Sequence, residues 1–303
     1  MDYKQISKNA AKWALSKVGC AYSQSKRTFE NIFDCSSLVA RAYSAQGKKW
    51  YYGGSIPRSN QEVYDDEFEL LWPDEYSGIG TSFGDASVIS CAKECGDIQY
   101  LCTDSKTDRA NKITHVAMVA SEYRIVHARG TAYGVCTSSI SHYSGKVCAV
   151  TRYNPKCTLR KGMKGYRTIA LQKYLNLLGA HLTVDGEYGT STESEVKSWQ
   201  AAHRLTASGQ ADQKTLELMG LTVSSGITGE ADNNNIFSET TYQEIRVIGD
   251  TVNIRIGPGI SYPSIKIAKR DEVFQAIDTS EWQPILVRDE LRWISKKYIE
   301  SIT

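Results

Sequence analysis

Cys35 stands between Asp34 and Ser36, where a helix is expected to begin. Asp is a good N-cap type, and the unpaired amides at a helix start favour an anion. A thiol there is expected to titrate below its ordinary value and to act as a nucleophile beside a base. Five histidines are available: His115, His127, His142, His181 and His203. His115 lies in Ile113-Thr114-His115-Val116-Ala117-Met118-Val119, and His127 in Arg124-Ile125-Val126-His127-Ala128. The short connection Ser121-Glu122-Tyr123 predicts a hairpin. An odd loop pairs 115 with 127 or 117 with 127, and either register puts both imidazoles on one face. One ring then takes the thiol's proton while the other orients it. His142, in the loop-like Ser139-Ile140-Ser141-His142-Tyr143, has no such relation to His115. Against this reading, a buried cysteine is more often packing than catalysis, and a strand histidine is often a hydrogen-bonded core residue. The residue types alone leave both open.

The elements that must hold these groups fill residues 1–155. Ile6, Ala10, Trp13, Ala14 and Val18 form one helical stripe, and Leu38, Val39, Ala42 and Tyr43 another after Cys35. Strands are expected at Ile98–Cys102, Ile113–Ala120, Arg124–Ala128 and Lys146–Tyr153. Helices followed by strands read as α+β. Residues 156–222 change to helical spacing. Leu171, Leu175 and Leu178 precede the turn Val184-Asp185-Gly186-Glu187-Tyr188-Gly189, a second helix buries Val196 and Trp199, and a third spans Asp212–Met219. Residues 223–240 are polar and centred on Asn233-Asn234-Asn235, as a linker is. Residues 241–303 alternate in five short runs around Gly257-Pro258-Gly259, which predicts a small all-β barrel.

Composition excludes some functions. The chain has 303 residues and a net charge of +2, too balanced for nucleic-acid binding by bulk electrostatics. No apolar run is long enough to insert into a membrane. The N-terminal residues lack the apolar stretch of a signal peptide, so the chain is expected to stay in the cytoplasm with reduced thiols. Eight cysteines include no paired CxxC knuckles, so no metal is expected, structural zinc at Cys91, Cys95 and Cys102 being the minor alternative, and thiol chemistry needs no organic cofactor.

Phe33-Asp34-Cys35-Ser36-Ser37-Leu38-Val39 resembles the nucleophile motif of NlpC-type, papain-like cysteine peptidases, F-D-C-S-G-L-V. Other pieces follow in order. Ala11–Val18 with Gly19 and Tyr22 resembles the opening helix and G-x-x-Y turn, and Pro57-Arg58-Ser59 resembles P-R-[TS]. Cys95-Gly96-Asp97-Ile98 resembles P-G-D-L, His115-Val116-Ala117-Met118-Val119 resembles H-V-G-I-Y, and Val126-His127-Ala128 resembles I-H-A. Ser37 departs from the usual Gly and Ala21 from the usual Pro. Inserts fall around Trp72–Gly84 and Asp104–Lys112. Residues 157–221 resemble a peptidoglycan-binding three-helix domain through Leu171-Gln172-Lys173-Tyr174-Leu175, Val184–Gly189 and Val196-Lys197-Ser198-Trp199-Gln200. Residues 246–300 resemble bacterial SH3-like domains through Val252-Asn253-Ile254-Arg255-Ile256-Gly257-Pro258-Gly259 and Trp293-Ile294-Ser295 with Tyr298.

The resemblance implies a multidomain protein: an α+β papain-like catalytic domain, a small three-helix domain and an all-β SH3-like barrel. It makes Cys35 the nucleophile, His115 the general base and His127 the residue that orients it. Tyr22 would stand near the thiolate, with Asp34 and Ser36 holding the substrate's amino end. Tyr262, Trp282 and Tyr298 would line a groove for the wall. One cutter and two wall binders form the layout of a phage or prophage endolysin acting on bacterial peptidoglycan, released to the wall through a holin. The expected cut is the γ-D-glutamyl bond to the diamino acid. The alternatives are the muramoyl–L-alanine amide, or a first domain that binds the wall without catalysis.

Overall fold

The computed structural model describes residues 2–51, 56–84, 90–92, 94–104, 106–221, 242–255, 264–277, 282–287 and 290–301. The expected linker at 223–240, the Gly257-Pro258-Gly259 turn and Tyr262 lie outside them. The chain divides into two compact units, Met1–Ile169 with Val184–Gly229, and Ala170–Thr183 with Glu230–Thr303.

In the first unit, helix α1 (Tyr3–Leu15) is capped by Asp2 and buries Ile6, Ser7, Ala10, Ala11 and Ala14. Val18, placed on that stripe by spacing, follows the helix and is exposed. Two short parallel strands, β1 (Ala21–Tyr22) and β2 (Ile32–Phe33), set Tyr22 opposite Phe33. Helix α2 (Cys35–Ser44) starts at the nucleophile candidate, and α3 (Ser59–Glu62) is a single turn. A six-stranded antiparallel sheet follows, built from β3 (Phe68–Trp72), β4 (Ile98–Leu101), β5 (His115–Ser121), β6 (Arg124–Gly130), β7 (Gly134–Ser139) and β8 (Val147–Tyr153). Its strand order is β3-β8-β4-β5-β6-β7. Period-2 alternation gives the sheet two apolar faces. One carries Phe68 and Tyr153, whose rings meet Tyr43 of α2. The other carries Leu101, Ala117, Val119, Ile125, Val147 and Val150, closed over by Ile140 and Tyr143.

Helices α4 (Tyr166–Leu177), α5 (Thr190–Ala202) and α6 (Gln213–Leu218) agree with the three helices read from spacing. Leu171, Leu175 and Trp199 are buried, as core residues are. The start of α4 is tied to the preceding α+β block. Asp66 accepts the Thr168 amide at 2.7 Å, so a side chain a hundred residues away caps the first turn of this helix. Beside it Lys48 lies 3.0 Å from Asp65 and 2.5 Å from Glu67, with only 2% of its side chain exposed. The Trp72–Gly84 insert packs back here: a Cβ on Gly162 would come within 2.7 Å of Tyr76.

The second unit corrects the five-run reading. Among the described residues it contains seven strands, β9 (Tyr242–Val247), β10 (Thr251–Arg255), β11 (Ser264–Lys269), β12 (Val273–Ile277), β13 (Trp282–Val287), β14 (Glu290–Ser295) and β15 (Ile299–Ser301). Their order is β11-β10-β14-β13-β12-β9-β15, and among the described residues no pairing closes them into a barrel. Ile245, Val247, Val252, Ile254, Ala268, Phe274, Ile285 and Ile294 form the core.

Candidate active site

Asp34 stops the strand-like lead of β2 and starts α2. Its carboxylate accepts the Ser37 amide at 2.7 Å, and Ser37 Oγ accepts the Asp34 amide at 2.9 Å. Ser37, a departure from the family motif, therefore completes a reciprocal cap that Gly cannot make. This fixes Cys35 in the first turn, with part of its surface open.

The two histidines come from the hairpin. Met118 faces Val126, which puts Ala117 opposite His127, and a bulge near Ser121 tightens the connection. His115 Nε2 lies 2.9 Å from His127 Nδ1. On its far side, His127 Nε2 lies 2.9 Å from Ser138 Oγ and 3.7 Å from Cys136 Sγ. Tyr143 Oη lies 3.5 Å from His127 Nδ1. Among the described residues no hydrogen bond joins the Cys35 thiol to the His115 ring. The Val116 amide, one residue along from His115, lies close enough to the sulfur to favour its thiolate. Catalytic hydrogen bonds of this kind commonly tighten only when substrate is bound.

The electrostatics reverse one expectation. Burial, followed by the Asp34 carboxylate, pushes the Cys35 thiol up to about 12, and the Val116 and Ser36 amides offset only part of this. The helix start does not win against desolvation and a neighbouring anion. Burial, then His127, holds His115 down to about 3. Burial, then Arg129, holds His127 down to about 4. At neutral pH thiol and imidazole are both uncharged.

Tyr22 stands within electrostatic range of Cys35, and its phenol is raised by burial first and then by that sulfur. A tight contact places it: a Cβ on Gly134 (φ +59°) would lie 2.3 Å from Cys20 O, and Val135 N donates to the same carbonyl at 2.9 Å. Asp34 and Ser36 are both engaged by Arg27, whose Nη1 lies 2.9 Å from Asp34 Oδ2 and 2.9 Å from Ser36 Oγ. Glu62 is fully buried nearby, and neither carboxyl oxygen has a hydrogen-bond partner among the described residues. Burial, then Asp34, raises its carboxyl well above the usual range.

Spacing did not reveal Arg27, Glu62, Cys136, Ser138 or Tyr143. Arg27 lies between two short strands without a motif. Ser138 had one usable signal, its position two residues from Cys136 on a polar strand beside the histidine hairpin. Of the three aromatics assigned to the wall groove, Tyr298 is exposed in a turn after β14, Trp282 lies in β13 with its side chain outside the described residues, and Tyr262 is outside altogether.

A family model described as a putative peptidoglycan binding domain matches residues 164–219. Among solved structures the chain is similar to NlpC2 from Trichomonas vaginalis, at 24% identity and a TM-score of 0.35, over 50% of this chain and 51% of that one. It is similar to the NlpC/p60 domain of the peptidoglycan hydrolase SagA, at 15% identity and a TM-score of 0.32, over 48% of this chain and 98% of that one. It is also similar to the P60 domain of an antigen from M. avium subspecies paratuberculosis, at 19% identity and a TM-score of 0.33, over 50% and 98%. The chain thus spans about half the length of the NlpC2 chain that it matches.

Proposed function

We propose that this protein is a peptidoglycan hydrolase, a cysteine peptidase that cuts a stem-peptide amide in the bacterial wall. The observation that carries the reading is the 2.9 Å contact between His115 Nε2 and His127 Nδ1, which leaves His115 Nδ1 for the nucleophile. In this reading Cys35 Sγ attacks the amide carbon while His115 Nδ1 takes its proton. Because both partners are neutral at rest, proton transfer accompanies attack instead of preceding it. His115 then delivers the proton to the leaving amine as the C–N bond breaks. Water, deprotonated by the same imidazole, hydrolyses the thioester. Tyr22 lines the approach to the sulfur.

The helical domain, and the β unit through aromatics such as Tyr298, hold the enzyme on peptidoglycan, where paired weak sites gain roughly 10²–10⁴ in avidity. The bond proposed is γ-D-glutamyl to the diamino acid. The reading extends to an endolysin that is made in the cytoplasm and reaches the wall through a holin pore. The test is mass spectrometry of digested sacculi. A new α-amine on the diamino acid supports the reading, whereas a new N-terminal L-Ala moves the enzyme to the amidase class. Intact sacculi leave a non-catalytic wall binder. Thiol alkylation is expected to abolish digestion, while a chelator leaves it unchanged.

A further inference from the structure

The charges beside Cys35 are already satisfied from within the protein. Asp34 and Ser36 are 6% and 3% exposed. Asp34 Oδ1 accepts the Ser37 amide at 2.7 Å and the Ser36 hydroxyl at 3.2 Å, and Oδ2 accepts Arg27 at 2.9 Å. Arg27 Nη1 also donates to Ser36 Oγ at 2.9 Å, while Nη2 donates to Pro57 O at 2.9 Å and to Ile56 O. One guanidinium is therefore fixed by a carboxylate, a hydroxyl and two carbonyls. A second acid within range of the sulfur, Glu62, is buried, and burial first and Asp34 second raise its carboxyl well above the usual range. Arg109 lies within range of Tyr22, and Arg129 within range of both imidazoles.

We propose that Arg27 makes the site selective for stem peptides whose amino end is acylated, and excludes a free ammonium, because its guanidinium already fills the cation position between Asp34 and Ser36. This rests on the reading of the protein as a stem-peptide hydrolase. An incoming ammonium finds no free carboxylate. Displacing Arg27 would strand a buried guanidinium without its counter-charge, which is strongly unfavourable. A stem peptide still attached to glycan has its L-Ala nitrogen in an amide, so it carries no such charge. A stem peptide already released by an amidase carries one. The expected substrate class is thus the intact strand and not the peptide fragments freed from it. The resemblance assigned Asp34 and Ser36 to a substrate amine, and in this chain Arg27 takes that place.

The test compares two synthetic stem tetrapeptides, one with a free L-Ala amine and one N-acetylated, alongside intact sacculi. At pH 6.5 the acetylated peptide is expected to have a kcat/KM at least tenfold higher. The gap should narrow as the pH rises through about 8, where an α-amine loses its proton. Arg27→Ala, which unmasks Asp34, is expected to shift the ratio toward the free amine, and Arg27→Lys to keep the wild-type order. Equal rates on the two peptides at pH 6.5, or a ratio untouched in folded Arg27→Ala, overturn the proposal. If Arg27→Ala does not fold, the wild-type ratio and its pH dependence decide alone. Sacculi cut together with free-amine peptides sink the selectivity and leave the hydrolase reading standing. Uncut sacculi sink both.

Discussion

Around Lys48 the buried charges are paired; around Cys35, Asp34 is paired with Arg27, but among the described residues the thiol, His115 and Glu62 are in no ion pair. Lys48 stays charged because Asp65 and Glu67 more than offset its burial. Asp66 is occupied by the Thr168 amide and lies in the field of Arg167, yet burial still raises it, and raises Asp65 to about 7 beside Lys48. His115 and Glu62 are buried and Cys35 is half-buried, yet the thiol is held up, the imidazole down and the carboxyl up. Desolvation is the largest influence in both places. What separates them is the counter-charge. A cluster with full pairing resists change and serves the fold. A cluster whose members wait uncharged can gain charge when a reaction supplies it, which is what a general base and a nucleophile must do.

The contrast is broken most severely at Cys35, the proposed nucleophile. Cys35→Ala is expected to lower wall digestion by on the order of 10⁴ to 10⁶, with the thermal midpoint close to wild type because no charge pair is lost. Dye release from labelled sacculi and a melting curve read the two together. Retained digestion ends the assignment of Cys35.

At the paired cluster the effects exchange places. Asp66→Ala strips α4 of its cap and takes a carboxylate out of the field of Arg167, at a cost of about 1.5–3 kcal/mol, the range for a hydrogen bond to a charged group. Urea unfolding measures it, and a loss below about 1 kcal/mol would show the tie between Asp66 and Thr168 to be incidental. The same contact bears on cutting the chain at residue 156. The fragment 156–303 loses Asp66, so its first helix is expected to fray unless a new N-cap is supplied.

Much of the site was readable because its chemistry is local in sequence. Asp34 next to Cys35 marks a helix start, and two histidines flanking a short connection share a face whichever even register forms. The Asp66 cap and the Arg27 bridge were not readable, because each joins residues that only the folded chain brings together. Strand β3 was missed because Phe-Glu-Leu-Leu-Trp alternates for barely two periods and abuts a stretch read as an insert. Strand β9 was missed because Tyr-Gln-Glu-Ile-Arg-Val follows an Asn-rich segment and carries charge on its outward positions. The depressed thiol expected of a helix start failed for a physical reason: local dipoles were counted, and burial beside Asp34 was not visible.

Acid should act on the neutral cluster first. The unfolded chain's imidazoles titrate near 6.5, while His115 and His127 resist protonation down to about 3 and about 4. As pH falls from 6.5, the unfolded chain therefore takes up protons that the folded chain refuses. Stability declines through that window and levels off below the folded values, by up to about 1.4 kcal/mol per pH unit for each imidazole. His127→Asn is expected to flatten the slope by one proton's worth. An unchanged slope in urea titrations from pH 6.5 to 4.5 would mean that the buried pair does not set it. In the same way, carbamidomethylation of Cys35 should keep accelerating above pH 9; a plateau at neutral pH would reveal a preformed ion pair.

The smallest effect concerns a proton at the far end of the chain of contacts. In the proposed mechanism His115 takes the thiol's proton at Nδ1, so its Nε2 must also carry one, and that N–H points at His127 Nδ1. His127 can accept it only from a bare Nδ1, so its own proton must sit on Nε2. Ser138 Oγ, 2.9 Å away, is the acceptor that holds it there. Cys136 at 3.7 Å is a poorer one, since sulfur accepts weakly. Ser138 is thus a positioning residue that selects the productive tautomer. Losing one such hydrogen bond is worth about 1 kcal/mol, so Ser138→Ala should lower kcat about five- to tenfold with KM unchanged. Ser138→Thr keeps the hydroxyl and should recover most of the rate, whereas His142→Ala should stay near wild type. A Ser138→Ala enzyme with full kcat, or one that Ser138→Thr fails to restore although folded, would return the tautomer choice to Tyr143 or to solvent.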